Sequence, residues 1–360
     1  MKRLAVLGAS TPFTVSLLQA LRDLPPMALS LHGRSVERLG LIAAHARANL
    51  DAPVAVHTAL APAVEGADFV LVQIRYGGMG GRADAERRAW ALGCPADETL
   101  GPAALYVARQ MAEPLEDLAE ALARHAPDAW ILNMINPLGV STAALARRHP
   151  RVIGICELPH TTADRVAAEL GLPGLDFRVE GLNHRSFLCV DDAVIDAIGD
   201  RDTLVGLPAA WARELGAIPT KYHRLLREPV APESASRAAQ LIGLKDRLLA
   251  ELREDPARVP PSLAERVTDW YSDGVVPLLR ALLDGGARVI NQLDDDGVVR
   301  ERLAQISPDG LTPLPGALPP AAQAWVDRFE THERAVLAAV ARQTPETLQR
   351  ALDLDPMLSR

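Results

Sequence analysis

Lysine is nearly missing from this chain: of 38 Lys and Arg residues, only Lys2, Lys221 and Lys245 are lysine. The positive charge is therefore arginine, whose planar fork suits bidentate binding of anions. A net positive charge is also missing. Acids outnumber bases 46 to 38, for a formal charge of -8. This argues against nucleic acid or an anionic membrane as the main partner, while leaving room for a local basic pocket. Cysteine is limited to Cys94, Cys156 and Cys189, an odd number at wide spacing that excludes a disulfide framework. No apolar run is long enough to span a bilayer. The N-terminus opens directly into Leu4-Ala5-Val6-Leu7 without a separate apolar leader, so a cytoplasmic protein is expected.

What is present is a β/α alternation. Hydrophobic residues make up 48% and charged residues 23% of 360 positions, enough for a sizeable core in one large or two smaller domains. Arg3 to Leu7 reads as a strand, Gly8-Ala9-Ser10-Thr11-Pro12 as a tight turn, and Thr14 to Leu24 as a helix. That is the entry of a dinucleotide-binding unit, with Gly8, Ser10 and Thr11 as phosphate-side candidates. The full glycine fingerprint is absent, and a plain structural turn reads about as well. A second strand, Leu29 to His32, ends in Gly33-Arg34-Ser35 with Arg38 beyond. The carboxylate that usually meets a ribose hydroxyl there is missing, which favours NADP over NAD if Arg34 is more than a solvated side chain. Further strands are expected at Val54–His57, Phe69–Gln73, Trp130–Asn133 and Val152–Ile155, with helices at Pro114–His125 and Ser141–Arg148. A parallel sheet with helices on both faces gathers ligands at the carboxyl ends of its strands. Gln73, Asn133, Asn136 and Cys156 all fall there.

Two apolar stretches end in groups able to hold a metal: Val152-Ile153-Gly154-Ile155-Cys156-Glu157 and Gly181-Leu182-Asn183-His184. A thiolate and an imidazole suit a borderline divalent ion, although each residue also has an inert reading, Cys156 as a small buried hydrophobe and His184 as a structural strand end. Beyond residue 160 the pattern turns mainly helical, with helices expected at Thr162–Leu170, Leu207–Leu215, Ser234–Arg253, Ser262–Leu283, Pro320–Gln343 and Pro345–Leu354, a late strand at Arg288–Asn291, and a loop over Gly310–Pro320.

In this order the motifs resemble those of glycoside hydrolase family four, the NAD- and manganese-dependent glycosidases. Gln73-Ile74-Arg75-Tyr76-Gly77-Gly78, then Arg82 and Glu86, then Asp97-Glu98-Thr99-Leu100-Gly101-Pro102, then Asn133-Met134-Ile135-Asn136-Pro137-Leu138-Gly139 are similar to that family's signatures. Cys156 and Gly181 to His184 resemble its two metal-ligand motifs, Ile218 to Arg224 its tyrosine segment, and Arg266, Tyr271 and Ser272 its R-G-G-x-Y-S element. Glu157 replaces the usual Asp or Asn after the cysteine.

The resemblance implies an α/β fold: a Rossmann-like parallel-sheet domain at 1–155, followed by a mainly helical α+β metal- and substrate-binding domain at 156–360, in the lactate/malate dehydrogenase-like superfold. It implies an enzyme that hydrolyses a glycoside, 6-phosphorylated in the family's glucosidases, by transient oxidation at carbon 3, proton abstraction at carbon 2 and elimination. Tyr222 is then the base and Glu157 the candidate acid. Cys156 and His184 hold manganese or a neighbouring divalent metal. Gly8, Ser10, Thr11, Arg34, Gln73 and Asn133 are assigned to NAD or NADP, and Arg82, Glu98, Asn136 and Arg266 to the substrate. A homo-oligomer is expected. Two other readings share parts of the pattern. In a 2-hydroxy acid dehydrogenase of lactate/malate type, His184 would be the acid/base. In a sensor, dinucleotide and sugar would bind without turnover.

Overall fold

The computed structural model describes residues 1–227, 235–308 and 310–358. Six parallel strands, β1 (Arg3–Leu7), β2 (Ala28–His32), β3 (Val54–His57), β4 (Phe69–Val72), β5 (Trp130–Asn133) and β6 (Val152–Gly154), lie in the order 3-2-1-4-5-6. The alternation within the strands explains the layers. Leu4 and Val6 of β1 join the core under the helices Thr14–Ala20, Val36–Asn49 and Val276–Asp284, while Ala5 and Leu7 face the core under Gly101–His125 and Pro320–Arg342. Both faces are covered, so these strands are continuous apolar runs.

The hairpin β7 (Arg178–Leu182) and β8 (Arg185–Cys189) is joined antiparallel by β11 (Ile218–Pro219), with β9 (Thr203–Leu204) and β10 (Leu207–Pro208) forming a separate small ladder. Three late strands, β12 (Gly286–Leu293), β13 (Val299–Ser307) and β14 (Gly310–Pro313), then extend the first sheet beyond β6 to nine strands. The sheet is thus continuous across residue 155. At the seam Asn291 of β12 pairs with Gly154, where a Cβ would sit 2.6 Å from the Thr142 hydroxyl and 2.8 Å from the Asn291 Cβ.

The structure departs from the expected elements in several places. The helix expected at Pro114–His125 is the second half of a single helix from Gly101 to His125 that accommodates Pro114 internally. Ser262–Leu283 is broken into a 3₁₀ turn (Pro261–Glu265), a π-turn (Trp270–Val275) and the helix Val276–Asp284. Leu207 and Pro208 form a strand before the helix Ala209–Leu215, and the segment expected as a loop from Gly310 begins as β14. Ser234, the expected start of the next helix, lies outside the described residues; the helix itself runs Arg237–Glu254. Among the described residues, no helix is long and apolar enough to cross a membrane.

Candidate active site

A cavity of about 810 Å³ opens at the carboxyl ends of β4 to β6. Nine of the residues singled out from sequence line it: Gln73, Arg82, Glu98, Asn136, Cys156, Glu157, His184, Tyr222 and Arg266. Gly8, Ser10, Thr11, Arg34 and Asn133 do not. Gly8 to Thr11 form the turn after β1, where Gly8 and Ala9 donate to the His32 carbonyl at 3.0 and 2.9 Å. Gly8 has φ +90, and a Cβ there would lie 2.9 Å from the Gln73 carbonyl oxygen, so the turn is tight enough to need glycine. Arg34 is exposed just before Ser35, whose hydroxyl caps the helix Val36–Asn49. Asn133 is fully buried. Its amide donates to Ser141 (2.7 Å) and Thr142 (3.0 Å) and accepts from the Ile135 N–H (3.1 Å), so its polar capacity is used in shaping the β5 turn.

His184 sits in the turn between β7 and β8 with a left-handed backbone, φ 62. Its ring stacks on Tyr222 at 4.1 Å and 5°, which puts a metal-ligand candidate and a phenol side by side. Nδ1 lies 2.9 Å from the Thr99 hydroxyl, and that hydroxyl donates to Asp97. With the single O–H proton of Thr99 given to Asp97, Nδ1–H of His184 must be the donor. Nε2 then keeps the lone pair a metal needs. Burial, then the charges of Lys221 and Arg185, hold the imidazole down to about 3, so it is neutral at working pH.

Cys156 is buried, and burial followed by Glu301 and Glu157 pushes its thiol well above the ordinary range. Glu301, with no exposed surface, accepts from Ser186 (2.6 Å), Asn291 (2.9 Å) and Asn183 (3.0 Å). A soft thiolate and an imidazole facing one cavity suit a borderline divalent ion. The described residues contain no group of three or more His, Cys, Asp or Glu arranged to hold a metal alone, so further ligands would come from a bound molecule or water. Tyr222 is raised by burial, then by Asp97, Cys156, Glu157 and Glu98; Lys221 lies 5.4 Å from its ring centre. Burial also raises Glu157, which favours its protonated form.

A chain of ion pairs closes one end. Arg75 reaches Glu98 at 2.5 Å, and Arg82 bridges Glu98 (2.6 Å) and Glu86 (2.9 Å). Glu86 in turn accepts from Ser236 and the Ala238 N–H at the start of the helix Arg237–Glu254. Burial would raise Glu98, but Arg75 and Arg82 outweigh it and bring the carboxyl to about 2. Arg82, assigned to substrate from sequence, thus already carries two carboxylates. Arg82→Ala should cost roughly 3–5 kcal/mol of stability by leaving buried Glu86 without its cation while Glu98 keeps Arg75, measurable by urea unfolding. A loss under about 1 kcal/mol would mean the network is not holding the helix.

Arg266 lies between the Phe13 and Trp270 rings, 4.4 and 4.9 Å from their centres. Nearby, the Tyr271 hydroxyl donates to the Gln73 side-chain oxygen Oε1 (2.7 Å), and the Gln73 side-chain Nε2 donates to Thr14 (3.0 Å). The π-turn therefore fixes the orientation of Gln73. Sequence reasoning left out Asp97, Thr99, Lys221, Arg237 and Tyr271 as site residues. Asp97, Thr99 and Tyr271 stood inside quoted motifs, whereas Arg237 had no local signal.

The model of family 4 glycosyl hydrolases matches residues 10–172. A probable 6-phospho-beta-glucosidase of Bacillus subtilis (strain 168) is 27% identical over 351 residues, covering 85% of this chain and 79% of the relative. A 6-phospho-beta glucosidase from Thermotoga maritima, solved with manganese, NAD+ and glucose-6-phosphate, superposes with a TM-score of 0.83 at 20% identity over 99% of this chain and 94% of that one. Malate dehydrogenase from Plasmodium falciparum, at TM-score 0.54 and 12% identity over 98% and 99% of the two chains, shares the underlying sheet but at a greater distance. Over residues 10–172 this chain is similar to the family 4 glycosyl hydrolases.

Proposed function

We propose that this protein is a glycosidase that hydrolyses a 6-phosphorylated glycoside with the help of NAD or NADP and a divalent metal, manganese or a close neighbour. The observation that carries this reading is the convergence of a thiol, an imidazole stacked on a phenol, and a cluster of arginines in one cavity. The reaction follows the exception to two-carboxylate hydrolysis. When bound, the dinucleotide supplies reversible hydride acceptance and the metal supplies Lewis-acid polarisation.

The chain supplies the rest. Residues 1–155 present the dinucleotide turn, and residues 156–360 bring the metal and substrate groups over it. Cys156 and His184 are the metal-holding pair. Tyr222 takes the carbon 2 proton, acidic beside a carbonyl at carbon 3, onto its Oη. Glu157, whose hold on its proton burial strengthens, delivers a proton to the departing oxygen. Arg75 and Arg82 are occupied by Glu98 and Glu86, which leaves Arg266, Arg237 and Lys221 as the other cavity cations, with Arg266 and Arg237 assigned to the sugar phosphate.

Release of nitrophenol from 6-phosphoglycosides and from their unphosphorylated counterparts tests this directly. Turnover is expected only with both dinucleotide and metal present, and chiefly with the phosphorylated sugar. Full activity after exhaustive chelation, or oxidation of 2-hydroxy acids in place of glycoside cleavage, would reject the reading.

A further inference from the structure

The helix Arg237–Glu254 lays Leu241, Leu244 and Leu248 against Phe13, directly after the turn that follows β1, with Met79 packed alongside. Lys245, on this helix, is half-buried beside that contact. The only polar contact of its ammonium among the described residues is the Met79 sulfur at 3.8 Å, and no carboxylate answers it. The charges that act most strongly on it are all cations. Arg38 comes from the helix after β2, Arg75 and Arg82 from the segment after β4, and Arg266 from the turn stacked on Phe13. Arg75 and Arg82 are neutralised by Glu98 and Glu86, whereas Lys245, Arg38 and Arg266 have no anionic hydrogen-bond partner among the described residues.

A half-buried ammonium on which cations act most strongly is costly unless an anion joins it. We infer that Lys245 is a phosphate-binding residue, contacting a phosphoryl group that lies between the turn after β1 and Arg266. This rests on the proposed dinucleotide and sugar-phosphate chemistry and adds a ligand contact from a helix remote in sequence from the nucleotide-binding unit. Without a ligand, burial and then the surrounding arginines lower the ammonium to about 8. Binding an anion there must restore the proton, so affinity should fall as pH rises above about 8.

The test is calorimetric titration of the full-length protein with NAD, NADP and glucose 6-phosphate separately, in wild type, Lys245→Met and Lys245→Arg. Loss of a charged hydrogen bond should weaken one ligand by roughly ten- to hundredfold. If dinucleotide binding falls and glucose 6-phosphate is unchanged, the phosphate is the cofactor's; the converse assigns it to the sugar. Lys245→Arg should retain affinity and lose the decline above pH 8. If Lys245→Met binds all three ligands as wild type does, this inference is overturned and the proposed function stands. If wild type binds none of them, both are overturned.

Discussion

Cys156→Ser or His184→Ala is expected to remove most divalent-metal binding and glycosidase activity, while the melting transition and dinucleotide binding persist. The two ligands should differ in how they shape the pH dependence. His184 is already neutral, held down to about 3 by burial and neighbouring cations, so it gives up no proton when a metal arrives. Cys156 carries its proton well above the ordinary thiol range because it is buried beside Glu301 and Glu157. Thiolate ligation must release that proton. Manganese affinity should therefore rise by up to about tenfold per pH unit between about pH 6 and 8, the slope of one released proton. The slope should survive in His184→Ala at lower affinity and vanish in Cys156→Ser. Manganese titration followed by electron paramagnetic resonance measures both quantities without relying on turnover. A slope that persists in Cys156→Ser would remove the thiol from the ligand set.

Much of this site was legible because its parts sit at strand ends. Leu4 to Leu7 and Phe69 to Val72 are uninterrupted apolar runs since both sheet faces are covered, and such runs announce themselves in sequence. The residues that follow them are then placed at one edge whatever the rest of the chain does. Position did not settle role, however. Asn133 ends β5 as expected, yet its amide is consumed by Ser141, Thr142 and the Ile135 N–H. The strand β13 was not visible because Glu301 stands at a fully buried position in it. Three partners make that burial tolerable: Asn291, opposite it across the β12–β13 hairpin, and Ser186 and Asn183, more than a hundred residues away. The helix Gly78–Ala91 begins with Gly78, Gly80 and Gly81, which oppose helix formation. The Arg82–Glu86 pair and the packing of Ala85 and Ala89 against Ala103 and Val107 favour the helix nonetheless. Lys245 illustrates the same limit. Nothing local marks it, and its significance comes from a helix docking on Phe13 more than two hundred residues away.

Tyr222→Phe should slow turnover by roughly two to four orders of magnitude, the usual contribution of a positioned general base, with dinucleotide and metal binding nearly unchanged. The substitution keeps the ring that stacks on His184 at 4.1 Å and deletes only the hydroxyl. Metal affinity should therefore survive, which separates loss of the base from collapse of the site. The electrostatics explain why a phenol could be useful here. Burial raises its proton affinity first, and Asp97, Cys156, Glu157 and Glu98 raise it further. As a phenolate in these surroundings it would be a strong acceptor for a carbon acid. A divalent cation held by Cys156 and His184 would supply positive charge beside Tyr222 and so favour its phenolate form. Activity should accordingly increase with pH over the range in which Tyr222 loses its proton. If Tyr222 removes the carbon 2 hydrogen, the product sugar formed in heavy water should carry deuterium at carbon 2, detected by mass spectrometry. Direct displacement at carbon 1 leaves that hydrogen untouched. A base shielded from solvent could return the original proton, so substrate deuterated at carbon 2 provides the second measurement, through its primary isotope effect. Absence of both signals, with the chemical step shown to limit the rate, would exclude elimination and with it the role of Tyr222.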